Sequence, residues 1–202
     1  MNITTIFPET LGYNILKVDS SKVTTYLNNL KFKEVAAVKE KKGNSLISVE
    51  LDILENLPEL KKEIIENMNI FLHDVFKYTE NFKIQTSWAT KTLNNGFSHP
   101  HTHSLSFISG VYYPKGHSSF NIKFYKKNEY SFWKIRSSEF NLYNSSEWTI
   151  NVVDNLLLIF FSDLKHSIES NDSNETRYSI AFNASPIGRL GNPLSDSQIT
   201  IV

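Results

Sequence analysis

The chain has 202 residues, with 21 acidic and 21 basic side chains and no cysteine. This length predicts one domain over residues 1–202 that is large enough to bury a substantial core. Balanced charge does not indicate nucleic-acid binding or attraction to a membrane surface. The missing cysteines exclude disulfides and thiolate metal sites. With no transmembrane-length apolar run and no signal-like N-terminus, we expect a cytoplasmic protein, while the oligomeric state stays open.

The N-terminal third of the chain has helical patterns. Asp19-Ser20-Ser21 is a typical N-cap ahead of an apolar series that begins at Val23. Residues 57–78 carry apolar side chains spaced by threes and fours, and Pro58 stands where a helix tolerates proline. We therefore predict a helical support over about residues 19–78.

From residue 82 onward the pattern changes to short alternating segments separated by Gly, Asn, Asp and Pro. We predict strands over residues 82–91, 104–113, 119–125, 148–153, 156–161, 165–169 and 176–184. Many short strands without helices between them predict an antiparallel sandwich or barrel, so the fold class is α+β and mainly β. Residues 126–147 interrupt this rhythm with scattered aromatic side chains, and either a functional loop or an additional hairpin fits them.

Histidines are concentrated just before one predicted strand, at positions 99, 101 and 103. Side chains two apart in an extended segment point the same way, so either His101 with His103 or His99 with His101 can present two imidazoles to one point. His166, just after the apolar segment 156–161, can add a third. Imidazole nitrogen suits iron, zinc, copper and nickel.

A second group of polar residues suits a carboxylate. Arg177 lies eleven residues after His166, and Ser179 shares its strand face. An arginine beside a hydroxyl can bind a carboxylate through two charge-assisted hydrogen bonds. A metal with open positions near such an anchor suits a 2-oxo diacid, which chelates the metal at one end and is held by its far carboxylate at the other.

Several segments together carry a resemblance to a known family. They are Ile84-Gln-Thr-Ser-Trp88, His101-Thr-His103 before Ser109-Gly-Val-Tyr-Tyr113, His166-Ser-Ile168, and Arg177-Tyr-Ser-Ile-Ala-Phe-Asn183. In this order they resemble the 2-oxoglutarate/Fe(II)-dependent oxygenases of phages and bacteria. The resemblance spans nearly the whole chain. It implies a double-stranded β-helix (jelly-roll) core over about residues 82–190, and the cytoplasm of the host cell if the protein is phage-encoded.

Carried over to this sequence, the resemblance implies site residues, cofactors and partners. His101, His103 and His166 would bind Fe(II), and Arg177 with Ser179 would anchor the co-substrate 2-oxoglutarate. Tyr113 or Tyr112 would line the same pocket. The reaction would consume O2 and 2-oxoglutarate, release succinate and CO2, and hydroxylate a substrate that the sequence does not identify.

One position departs from the wider superfamily, which pairs two histidines with an Asp or Glu. Here a histidine stands two after His101, and no acidic residue lies within residues 81–125. Three neutral imidazoles leave an Fe(II) centre at +2, which 2-oxoglutarate would bring to zero. A three-histidine zinc hydrolase or hydratase is one alternative. A non-catalytic jelly-roll binding or structural protein is the other.

Overall fold

The computed structural model describes residues 1–34, 45–127, 135–191 and 197–202. Its elements are two α-helices, a 3-10 helix, a π-helical segment and twelve strands within these ranges. In chain order they are β1 (Leu11–Ile15), α1 (Ser20–Asn29), β2 (Phe32–Lys33), β3 (Leu46–Ser48), the 3-10 helix Ile53–Asn56, α2 (Pro58–Asn69), the π-helix Ile70–Val75, β4 (Asn81–Thr92), β5 (Ser98–His101), β6 (Ile108–Tyr113), β7 (Asn121–Tyr125), β8 (Glu147–Asn151), β9 (Leu156–Phe161), β10 (His166–Ile168), β11 (Arg177–Leu190) and β12 (Ile199–Ile201).

The strands form two antiparallel sheets. The larger has the order β1-β9-β6-β11-β4-β3-β2, with β12 paired to β11, and the smaller has the order β5-β10-β7-β8. From β4 to β11 the chain passes repeatedly from one sheet to the other, as in a jelly roll. The predicted mainly β class with a helical support is therefore confirmed.

The helices cover the outer face of the larger sheet. Asp19 caps α1 as predicted, because its carboxylate accepts hydrogen bonds from the backbone of Ser21 and Lys22. The helix predicted over residues 57–78 is α-helical only over Pro58–Asn69 and continues as a π-helix. Its apolar stripe is buried against the sheet, which leaves the other sheet face free for a second core.

That second core lies between the two sheets. Strand β6 runs without a bulge, so its residues alternate strictly between the two cores. Val111 and Tyr113 face the smaller sheet, whereas Ile108 and Tyr112 face the helices. Gly110 is required here, because a Cβ would clash with the ring of Phe182 on β11.

Two predicted segments differ in detail. The strand predicted from residue 104 begins only at Ile108, because residues 104–105 form a turn with a left-handed backbone at Leu105, φ +59°. The aromatic residues predicted for the loop 126–147 include three that lie outside the described residues. Phe140 and Tyr143 are exposed. Within the described ranges, no helix is long and apolar enough to span a membrane.

Candidate metal centre and anion pocket

Three histidines meet at one end of the two sheets. His101 ends β5, His166 begins β10, and His103 lies in the connection after β5. Their ligand atoms all lie within 4.8 Å of one another, the one cluster of this kind in the described parts of the chain. The expectation that His101 and His103 share a strand was wrong. Pairing of β5 with β10 ends at His101 opposite His166, and the backbone N–H of His103 donates instead to the carbonyl of Ser162 at 2.9 Å.

Backbone carbonyls orient two of these rings. His101 Nδ1 lies 2.8 Å from the carbonyl oxygen of His99, and His166 Nδ1 lies 3.0 Å from that of Leu164. A carbonyl only accepts, so each Nδ1 carries the hydrogen and each Nε2 keeps its lone pair. This second hydrogen bond is the usual arrangement of metal-binding histidines.

The spacing of one nitrogen pair fits a shared metal ion. Two nitrogens each about 2.1 Å from one ion are about 3.0–3.4 Å apart for right-angled to tetrahedral geometry. His103 Nε2 and His166 Nε2 are 3.3 Å apart. Because the lone pair of His166 Nε2 points toward His103, this pair must share either a proton or a cation. Three neutral imidazoles are a donor set that Fe(II) and Zn(II) both accept.

Burial keeps two of these histidines neutral. It lowers the pKa of His166 to about 3 against the opposing hydrogen bond to Leu164, and the nearby His101 and His103 lower it further. Burial also lowers the pKa of His103 to about 4, with a contribution from His101 and an opposing one from the Asn183 side chain. At neutral pH both rings are therefore deprotonated, which is the form that binds metal.

The sequence left His99 open as a replacement for His103. His99 lies on β5 but does not join the cluster, and its ring packs edge-on against Phe97 at 5.1 Å. The structure therefore brings His103, rather than His99, to His101 and His166.

Aromatic residues that sequence reasoning did not select surround the cluster. Trp88 on β4 stacks on His103 at 5.8 Å, and Phe160 and Phe124 pack against His166 at 4.8 and 6.0 Å. Asn183 lies on the same face of β11 as Ser179. The alternation of β4 and β11 could have indicated Trp88 and Asn183, but only once the pairing of the two strands was known.

Arg177 is a buried cation that forms no ion pair within the described parts of the chain. It begins β11, is 2% exposed and lies 5.6 Å from the ring of Phe120. Its Nη2 donates to the carbonyl of Glu169 at 3.2 Å, but its buried Nη1 has no hydrogen-bond partner. No carboxylate in the described ranges forms an ion pair with it. An uncompensated buried charge costs several kcal/mol, so this position calls for an anion.

Tyr113 and Ser179 complete this anion pocket. The Tyr113 hydroxyl is buried and has no hydrogen-bond partner among the residues that the structure describes. Burial raises the pKa of Tyr113 to about 12, although the charge of Arg177 opposes this, so the hydroxyl is a donor at neutral pH. Burial lowers the pKa of Arg177, and its interaction with Tyr113 opposes this shift. Ser179 Oγ lies 2.5 Å from Thr90 Oγ1.

Tyr112 does not belong to this pocket. It faces the helices, and its hydroxyl donates to Asn155 Oδ1 at 2.5 Å. The sequence suggested Tyr112 as an alternative to Tyr113 because a bulge would have exchanged their faces. No such bulge occurs in β6.

The metal cluster and the anion pocket lie on one inner surface. One face of β11 carries every second residue from Arg177 to Asn183, including Ser179 and Ala181. Trp88, which stacks on His103, lies on β4 directly opposite Ala181. Fold and site together define a jelly-roll protein with a candidate metal centre and, on the same inner surface, a buried arginine that can bind an anion.

A family model described as "Putative 2OG-Fe(II) oxygenase" matches residues 86–183. The matched segment runs from β4 to β11 and contains all three clustered histidines, Arg177 and Tyr113. This segment is similar to the 2OG-Fe(II) oxygenases, and the predicted enzyme class, an Fe(II)- and 2-oxoglutarate-dependent oxygenase, is confirmed.

Solved structures share the fold at low sequence identity. The epimerase SnoN from nogalamycin biosynthesis has a TM-score of 0.63 at 8% identity, over 93% of this chain and 83% of its own. HygX from Streptomyces hygroscopicus, crystallised with nickel and 2-oxoglutarate, has 0.61 at 10%, over 88% and 83%. A Pseudomonas putida prolyl-4-hydroxylase has 0.58 at 11%, over 87% and 92%. The comparison with curated proteins gives no match.

Proposed function

We propose that His101, His103 and His166 hold Fe(II), that Arg177 anchors 2-oxoglutarate, and that the enzyme hydroxylates a C–H bond of its substrate. The observation that carries this proposal is the buried Arg177 guanidinium, which has an unpaired Nη1 on the same inner surface as the histidine cluster. A dicarboxylate bound between Arg177 and the histidine cluster would accept a hydrogen bond from Nη1 at one end and bind the metal at the other.

Each residue has a role that follows from its contacts. The three Nε2 atoms bind the metal, and the carbonyls of His99 and Leu164 hold two of the rings in the required tautomer. Arg177 Nη1 and the Tyr113 hydroxyl donate to the distal carboxylate, and Ser179 is the third candidate donor. Trp88, Phe124 and Phe160 shield His103 and His166 from water, whereas His101 is exposed. When bound, Fe(II) and 2-oxoglutarate supply O2 activation coupled to oxidative decarboxylation.

The charge balance of the proposed site would favour a dianionic co-substrate such as 2-oxoglutarate. Three neutral imidazoles leave Fe(II) at +2, and the 2-oxoglutarate dianion brings the complex to zero. Opposite charges attract more strongly where water is excluded, so a complex with zero net charge is favourable there. The same absence of a carboxylate weakens the hold on the metal alone.

The relatives are consistent with this proposal and leave the outcome of the reaction broad. HygX has been crystallised with nickel and 2-oxoglutarate, SnoN is an alpha-ketoglutarate-dependent epimerase, and the P. putida protein is a prolyl-4-hydroxylase. We propose the same cofactors here, with O2 and an unidentified substrate as partners. A cytoplasmic location, where 2-oxoglutarate and Fe(II) are both available, is part of the proposal.

Anaerobic addition of Fe(II) and 2-oxoglutarate to the purified protein tests the metal and co-substrate. We expect a visible metal-to-ligand charge-transfer band that needs both components, and 2-oxoglutarate-dependent succinate once O2 is admitted. Zn(II) is the matched control, because it binds the same imidazoles but gives no such band. A protein that retains Zn(II) yet forms neither band nor succinate with Fe(II) would be a zinc enzyme. Failure to retain any metal would indicate a binding or structural protein.

A further inference from the structure

A row of side chains crosses the smaller sheet from the metal cluster. His166 pairs with His101 on one side and with Phe124 on the other, and Phe124 pairs in turn with Trp148. Directly paired residues of an antiparallel sheet point to the same face. His101, His166, Phe124 and Trp148 therefore project from β5, β10, β7 and β8 toward the same side.

That side is the inner surface that carries the metal cluster. The opposite face of the sheet is ionic, since Lys123 contacts Glu147 at 2.9 Å and Glu169 at 2.8 Å. Phe124 packs on Phe160 and His166 in the interior. Trp148, its paired neighbour, consequently faces inward as well.

Trp148 is nevertheless accessible. Its side chain is 47% exposed, whereas Phe124 is 6% exposed, because β8 is the edge strand and Trp148 stands near its start. No other aromatic ring within the described parts of the chain stacks on the indole. Neighbouring strands are about 4.8 Å apart, so the backbone of Trp148 is about 10 Å from that of His166. An indole at this distance can contact a molecule that lies over the metal.

One charged side chain just after β7, the strand next to β8, is already ion-paired. Lys127, which follows β7, contacts Asp163 at 2.8 Å and Glu9 at 3.7 Å. A charged substrate would have to compete with these ion pairs, whereas an uncharged ring would lie on the indole without disturbing them.

We propose that Trp148 is a substrate-contact residue, and that the substrate presents a flat, uncharged ring beside the C–H bond that reacts. This inference rests on the proposed function, since it assigns the substrate of the same metal site. Trp148 directly follows residues 126–147, but it belongs to the sheet that carries His101 and His166.

Two small neutral amides test the inference: benzamide, which has a flat ring, and cyclohexanecarboxamide, which has a saturated ring of similar size. Ligand-observed NMR titrations would measure the Kd of each with the nickel- and 2-oxoglutarate-loaded protein. We expect benzamide to bind several-fold more tightly than its saturated partner. Trp148→Ala should weaken benzamide about tenfold and remove the preference, and Trp148→Phe should largely restore it.

Tyr13→Ala is the matched control, because Tyr13 is also an exposed aromatic residue but lies on β1 of the other sheet. Its Kd values should equal those of the wild type. Equal binding of the two amides, no binding of benzamide to the wild type, or undiminished binding to a folded Trp148→Ala protein would overturn the inference. The Fe(II) and 2-oxoglutarate band of the wild type is recorded separately. Its absence would refute the proposed function whatever the amides do.

Discussion

Replacement of Arg177 by methionine tests the anion pocket most directly. In the unliganded protein the guanidinium is 2% exposed, lacks a carboxylate partner in the described chain and leaves Nη1 unbonded. Exchanging a buried charge for an apolar side chain of similar size is often neutral or stabilising by about 1–4 kcal/mol. We therefore expect Arg177→Met to unfold at the same or a higher temperature than the wild type when no ligand is present.

Binding of 2-oxoglutarate should make the wild type unfold at a higher temperature than Arg177→Met. Two charge-assisted hydrogen bonds contribute about 1.5–3 kcal/mol each, so their loss should weaken 2-oxoglutarate binding about 100-fold or more. At a concentration of 100 times the wild-type Kd, 2-oxoglutarate adds about 2.7 kcal/mol to wild-type stability. At about 2–4 °C per kcal/mol for a chain of this size, the wild-type Tm should rise by about 5–11 °C. The variant should gain about 0.4 kcal/mol or less.

Thermal unfolding with Ni(II), with and without 2-oxoglutarate, measures both effects. Arg189→Met is the control, since Arg189 lies on the same strand but is exposed. It should retain the full rise. If Arg177→Met also showed the full rise, the assignment of the anchor would be refuted. A large loss of unliganded stability would instead indicate that Arg177 is a structural residue.

Other substitutions separate neighbouring residues of the same type. His103→Ala should weaken Ni(II) binding at least 100-fold, as measured by calorimetry. His99→Ala should leave Ni(II) binding unchanged, because the backbone carbonyl of His99, and not its ring, orients His101. Equal losses in the two variants would contradict the choice of His103. Tyr113→Phe should weaken 2-oxoglutarate binding without loss of unliganded stability, because its hydroxyl has no partner. Tyr112→Phe should leave 2-oxoglutarate binding unchanged but lower the free energy of unfolding by about 1 kcal/mol, as measured by chemical denaturation. Leu105→Gly should stabilise the protein by about 1 kcal/mol, because the fully exposed side chain buries nothing and its left-handed backbone is strained. A lower midpoint of chemical denaturation for this variant would show that the Leu105 side chain makes stabilising contacts.

Local patterns sufficed for much of the fold. Asp19 and the spacing after Pro58 identified the two helices, and alternation identified most strands of the jelly roll. The strand β5 was missed because Ser98–His101 has no apolar alternation. It is a strand because Ser98 and His101 pair with Ile168 and His166 of β10. The π-helical continuation of α2 likewise has no marker in the spacing of apolar residues.

The candidate site was predictable residue by residue but not in its contacts. His101, His103, His166 and Arg177 were found as residue types in a particular order. That Tyr113 rather than Tyr112 faces Arg177 depends on the absence of a bulge in β6. The position of Trp148 in line with His166 depends on two strand pairings that no local pattern specifies.

The metal cluster also sets an order of events during folding. His103 and His166 are 63 residues apart, and we expect them to meet only when β5 has paired with β10 and the smaller sheet has closed on the larger one. Contacts between such distant segments form slowly, because the loop-closure entropy must be lost before they form. A tight metal site therefore cannot exist in a partly folded chain. Metal uptake during refolding would report the final closure of the jelly roll, and an early uptake phase would reveal non-native histidine pairs.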